Sequence, residues 1–120
     1  MWKGVVIKES MKKNILKPKN IVKARKMYLE SEKEKGVLHF LYIKIRDSEK
    51  ENFVRNAKSS LKKSWYVHIC NHDEMIVIFR GKVFKINDKK SAKKAREYGL
   101  SIGIKKELMS FEKLLKNPWG

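Results

Sequence analysis

Apolar residues along this chain recur with two different periods, and the changes of period mark the elements. Trp2 to Lys8 holds a short apolar run with a β-branched centre and reads as a strand. Ser10 stands in position to cap one short helical turn through Leu16, with Pro18 ending it. Residues 21–30 fit two patterns. Val22, Ala24 and Tyr28 alternate as in a strand, whereas Ile21, Ala24, Tyr28 and Leu29 also share a helix face. A strand is the expectation here, because Glu30 to Gly36 then forms a polar turn into the strongly β-forming run Val37 to Arg46. The two faces of that run are Val37/His39/Leu41/Ile43/Ile45 and Leu38/Phe40/Tyr42/Lys44/Arg46. Both are apolar near the middle, which suits an interior strand.

The clearest helical pattern runs from Ser48 to Lys63. Ser48 and Glu51 have capping-box spacing, and Phe53, Val54, Ala57 and Leu61 form one apolar stripe. Acidic residues open this segment and lysines close it, as the helix dipole favours. Three short strands follow, Trp65 to Asn71, Glu74 to Arg80 and Lys82 to Ile86, with Asn71-His72-Asp73 and Arg80-Gly81 as the turns. Asn87 or Asp88 can cap a helix from Lys89 to Tyr98, with Ala92 and Ala95 as a small buried face and Gly99 at its C′ position. Ser110 can cap a last helix in which Phe111, Leu114 and Leu115 face inward, and Pro118 ends it.

This order predicts a single α+β domain over residues 1–120. Its sheet should be largely antiparallel, of about five to six strands, with helices packed on one face. Trp2 to Asn71 follows the βαββαβ order of a ferredoxin-like fold, and the short first helix would make it a variant.

Charge changes the picture more than composition does. The chain holds 30 basic and 13 acidic residues, for a net charge of +17, and the surplus lies outside residues 30–52. Such a charge favours polyanionic partners. Only five of the basic residues are Arg (Arg25, Arg46, Arg55, Arg80 and Arg96), and both Gln and Thr are absent. Compositional bias toward Lys is therefore a competing source of the charge. The scarcity of Arg also argues against sequence-specific reading of DNA, where Arg-to-guanine contacts dominate. A single cysteine, Cys70, allows no internal disulfide and no zinc cluster. With no apolar run long enough for a signal peptide or a membrane span, the expectation is a soluble protein of the reducing cytoplasm.

Two segments, Met1-Trp2-Lys3-Gly4-Val5-Val6-Ile7 and Arg96-Glu97-Tyr98-Gly99-Leu100-Ser101-Ile102-Gly103-Ile104, resemble small conserved prokaryotic proteins described only as uncharacterised. Phe111-Glu112-Lys113-Leu114 adds to that likeness. The resemblance implies no activity and no catalytic residue.

The candidate chemistry falls into two sets. Tyr66, His68 and Cys70 alternate along one strand and so share a face. A Cys–His pair suits a nucleophile or, with His39 as a third ligand, a metal. Against this stands the plain reading of a satisfied histidine and an inert buried thiol. The expectation is therefore no catalytic residue, no metal and no cofactor. His39, Tyr42, Tyr66 and His68 together have the mixture of aromatic wall and polar group that lines a ligand pocket. The second set is basic: Lys12, Lys13, Lys17, Lys19, Lys23, Arg25 and Lys26 in one cluster, Lys89, Lys90, Lys93, Lys94 and Arg96 in the other. No phosphate-binding loop, dinucleotide fingerprint, RNP1 motif or zinc knuckle is present. Gly99 and Gly103 follow a helix where a phosphate loop would follow a strand. The first expectation is a non-enzymatic binding module with modest, sequence-tolerant affinity for RNA or single-stranded DNA. The second is a small-molecule binder or enzyme using the Tyr/His pocket. Sequence alone does not set the oligomeric state.

Overall fold

The structure, a computed structural model, describes residues 1–29 and 34–120. Six strands, β1 (Trp2–Ile7), β2 (Ile21–Met27), β3 (Leu38–Ile45), β4 (Tyr66–Cys70), β5 (Met75–Phe79) and β6 (Lys82–Ile86), form one sheet in the order β2-β3-β1-β4-β5-β6. Every neighbouring pair is antiparallel. Among the described residues three helices complete the α+β domain: α1 (Lys50–Ser60), α2 (Lys89–Ser101) and α3 (Phe111–Lys116). The segment 21–30 is a strand as far as Met27, and β3 is interior, as its two apolar faces require. The turn expected from Glu30 to Gly36 lies in part outside the described residues.

The first four strands have the split βαβ arrangement: β3 lies between β1 and β2, and β1 lies between β3 and β4. The first crossover carries no α-helix. Lys8–Ser10 and Pro18–Asn20 are single 3-10 turns, and Met11 forms a lone bridge to Leu61 between them. Pro18 therefore opens a turn where it was expected to end one, consistent with its fixed φ and missing donor at a first helical position. Met11 and Leu16 still cover the sheet beside α1, which contributes Phe53 and Ala57, with Leu61 just past its end. The Ser48–Glu51 box does not form. A 3-10 turn, Asp47–Glu49, leads into α1, and the Glu49 carboxylate accepts from the Arg46 amide at 3.3 Å.

The helices do not share one face. Trp2, Val6, Ile43, Ile45, Val67, Ile69, Ile76 and Ile78 point toward α1. The alternate residues Cys70, Met75, Val77 and Phe79 point the other way, onto Ala92 and Ala95 of α2 and Phe111 of α3. β5 is apolar and buried at all five positions because it is covered on both sides. Asp88 caps α2, accepting from the Ser91 amide at 2.7 Å. Gly99 does not end this helix. It is packed inside it, where a Cβ would stand 2.3 Å from the Met109 sulfur, and the stop comes at Gly103 with φ +93°.

Candidate functional site

α2 and α3 fill the β4-β5-β6 half of their face, but among the described residues no helix covers the β2-β3-β1 half. A pocket of about 450 Å³ opens at the boundary. Its floor is Arg25 and Met27 of β2, Phe40 and Tyr42 of β3, Val5 and Ile7 of β1, and Tyr66 and His68 of β4. Trp65, Leu108, Leu114 and Trp119 form its walls, with Lys35, Glu107 and Ser110 also at the lining. This size and this aromatic lining with few polar groups are typical of small-ligand sites.

Strand register explains how the polar groups are spaced. Lys23 pairs with Tyr42, Tyr42 with Val5, and Val5 with His68, so these four stand in one row across the sheet. Residues paired in this way point to the same face. Three strand spacings separate Lys23 from His68, roughly 14 Å between backbones. The row thus runs from a cation at the edge, across an aromatic ring, to an imidazole inside.

Tyr66 is held on two sides. Its ring meets Phe111 edge-on at 5.4 Å, and its hydroxyl donates to the Leu108 carbonyl. Burial raises its pKa far above the ordinary value. It is a fixed part of the lining, not a free platform for stacking. His68 is only 4% exposed. Its Nε2 lies 2.7 Å from the Pro118 carbonyl, which can only accept, so this nitrogen carries the proton. Burial pushes the imidazole pKa down to about 4, against the opposing effect of that hydrogen bond. His68 is therefore neutral at physiological pH. The same tail brings Trp119 over the sheet: its Nε1 donates to the Ile43 carbonyl at 3.3 Å, and Lys3 and Lys44 approach its ring at 5.1 and 5.7 Å.

Of the four residues expected to line a pocket, Tyr42, Tyr66 and His68 come together. His39 does not. It projects from the opposite face, where its Nδ1 is 2.6 Å from Glu9 and its amide donates to the same carboxylate at 2.7 Å. Burial raises the Glu9 pKa, but these bonds outweigh it and hold the carboxyl below its usual value. His39 therefore cannot complete a metal site with His68 and Cys70, and no cluster of three potential ligands occurs among the described residues.

Cys70 is 1% exposed, its thiol points at the Leu114 carbonyl at 3.5 Å, and burial pushes its pKa up to about 12. Such a thiol is a poor nucleophile. Native protein should react with iodoacetamide at pH 7.5 far more slowly than urea-unfolded protein, as measured by mass spectrometry. Comparable rates would show a reactive, accessible cysteine.

The two basic clusters lie at opposite edges of the sheet. Lys12, Lys13, Lys17, Lys19, Lys23, Arg25 and Lys26 are exposed along the first crossover and on edge strand β2. Only Arg25 lines the pocket, while Lys23 lies over the Tyr42 ring at 5.9 Å. Lys19 is paired with Glu49 at 3.2 Å. Lys89, Lys90, Lys93 and Lys94 are exposed on α2, beside β6. Arg96 is bound into the fold, with its Nε donating to the Met109 carbonyl at 3.1 Å and its guanidinium paired with Glu112. The two clusters form no single track.

Sequence reasoning missed Trp65, Trp119 and Phe40 as pocket residues. Phe40 was legible, since it shares a strand face with Tyr42. Trp119 follows Pro118 in a tail without periodicity, and nothing local marks where that tail lies. No family model, curated protein or solved structure matches the chain.

Proposed function

We propose that the protein is a non-enzymatic binding module for RNA or single-stranded DNA, and that it holds an unpaired nucleotide in the pocket over β2-β3-β1. The supporting observation is the combination, in one concavity, of aromatic surface from Phe40, Tyr42, Trp65 and Trp119 with the cation Arg25, and with Lys23 beside it over the Tyr42 ring. An unpaired base offers a flat face to stack, and a phosphate offers charge to Lys and Arg without demanding sequence. A duplex keeps its bases stacked and cannot enter. The lysines of α2 do not line the pocket. They add long-range attraction for any polyanion. The enclosure provided by Trp119 and Leu108 also suits a free nucleotide, the second source of the same chemistry.

The test is fluorescence anisotropy with a labelled single-stranded 12-mer of mixed sequence, its duplex, and a mononucleotide competitor, across a salt series. Single strands should bind more tightly than duplex, and affinity should fall as salt rises. Trp119→Ala should weaken single-strand binding by about 1–3 kcal/mol. It should leave the fold intact, because Trp119 belongs to neither apolar cluster. Replacing Lys89, Lys90, Lys93 and Lys94 by Glu should weaken single strand and duplex alike. Equal binding of duplex and single strand, unaffected by Trp119→Ala and matched by heparin, would reduce the interaction to generic charge. Binding of the mononucleotide without preference for the oligomer would favour the free ligand.

A further inference from the structure

Resting on that reading, we propose that His68 is a specificity-determining residue: its Nδ1 accepts a hydrogen bond from an N–H group of the bound base. The pocket therefore selects ligands that present an N–H donor at the end away from their phosphate.

The argument starts from the second nitrogen of a fixed ring. Nε2–H is committed to the Pro118 carbonyl at 2.7 Å, which leaves Nδ1 with a lone pair. No protein group among the described residues bonds Nδ1. His68 retains 4% exposure, so Nδ1 belongs to a side chain that is not wholly sealed inside the core. The ring it belongs to lines the pocket. An acceptor held in an apolar site with no donor of its own is a recognition element, because a ligand that leaves it unpaired forfeits a hydrogen bond in a place with little competing water. The row of paired residues that ends on His68 gives the direction. Lys23 stands at the far end of the same row of paired residues, and Arg25 is on the same edge strand. An anionic group belongs at that edge and a donor belongs at His68. Uracil N3–H and the amino groups of adenine and cytosine are donors of the required kind. A group that only accepts, such as a carboxylate, does not fit the His68 end.

The experiment uses single-stranded oligomers in which one base is replaced by its donor-free form: uridine by 3-methyluridine, adenosine by N6,N6-dimethyladenosine, cytidine by N4,N4-dimethylcytidine. For the base that binds best, wild-type protein should lose about tenfold or more in affinity on methylation. His68→Gln can keep a donor toward Pro118 but places no acceptor where Nδ1 was. It should bind the parent oligomer more weakly and bind parent and methylated forms equally, an effect that a purely structural role would not produce. If this variant melts early, ¹⁵N NMR of wild-type His68 gives a second reading, because the Nδ1 resonance should move upfield when the parent oligomer is added and stay put with the methylated one. Single-strand binding that depends on Trp119 but ignores methylation, with a static Nδ1 resonance, would overturn the role of His68 and leave the nucleotide reading standing. Absence of binding by any oligomer would overturn both.

Discussion

Replacing Gly4 by alanine should destabilise the protein by about 4 kcal/mol or more, the range in which point changes become exceptional. Gly4 sits in β1, between Ile43 of β3 and Ile69 of β4. A Cβ on its backbone would stand 2.0 Å from the His68 carbonyl oxygen and 2.9 Å from a methyl of Ile69. The first of these contacts is with backbone, which has no rotamer to change. Relief requires β1 and β4 to separate, and the pair is joined over only three registered positions. A glycine inside a strand is often the mark of such a close approach. Gly81 is the comparison: it turns the β5-β6 hairpin at φ +75° with open space around it, so alanine there costs only the backbone strain, about 1 kcal/mol. Urea denaturation of both variants checks the difference. A Gly4→Ala protein as stable as Gly81→Ala would show that β1 and β4 leave room for a Cβ at Gly4. The close approach also bears on the site, since it is the strand segment carrying His68 that rests against Gly4.

How much of this was legible depended on whether a feature was local. The stripe Phe53, Val54, Ala57 and Leu61 identified α1 and its buried side, because a helix repeats its contacts every turn. Strand pairing through β4, β5 and β6 followed from short turns. The distribution of helices over two faces did not, although one signal was present: Met75 to Phe79 is an unbroken apolar run, which a strand exposed on one side would not have. The inclusion of His39 in the pocket conflicted with the alternation of its own strand, which puts it opposite Tyr42. Gly99 shows a different limit. Glycine near the end of a helix has two uses, left-handed stop and close packing, and only the position of Met109 decides between them. The wall formed by Trp119 was beyond reach for the same reason: 50 residues separate His68 from Pro118, and no local pattern records that contact.

The stability of the protein should fall by about 3 kcal/mol as pH is lowered from 7 to 4, through His68 alone. The sign follows from proton uptake. In the unfolded chain the imidazole titrates near its ordinary value of 6.5, whereas burial holds it to about 4 in the fold. Above the higher value both states are neutral and pH has no effect through this group. Between the two values the unfolded chain binds a proton that the folded chain refuses, so unfolding is favoured progressively. Below about 4 both are protonated and the loss levels off. Glu9 acts in a different window: its depressed pKa stabilises the fold above the ordinary carboxyl value of 4.5, and that contribution disappears below it. Urea unfolding at pH 7, 6, 5.5 and 5 therefore isolates the histidine before the carboxylate enters. His68→Gln should start with lower stability at pH 7 and show a much flatter profile down to pH 5. A wild-type profile that is already flat in this range would mean that the imidazole is hydrated in the fold. The same neutral, donor-anchored ring is what leaves Nδ1 free to accept, so the stability profile and the discrimination against N-methylated bases share one physical cause: stability falls from pH 6.5 downward while the folded ring stays neutral, and the discrimination ends only where the folded ring itself takes a proton, near pH 4.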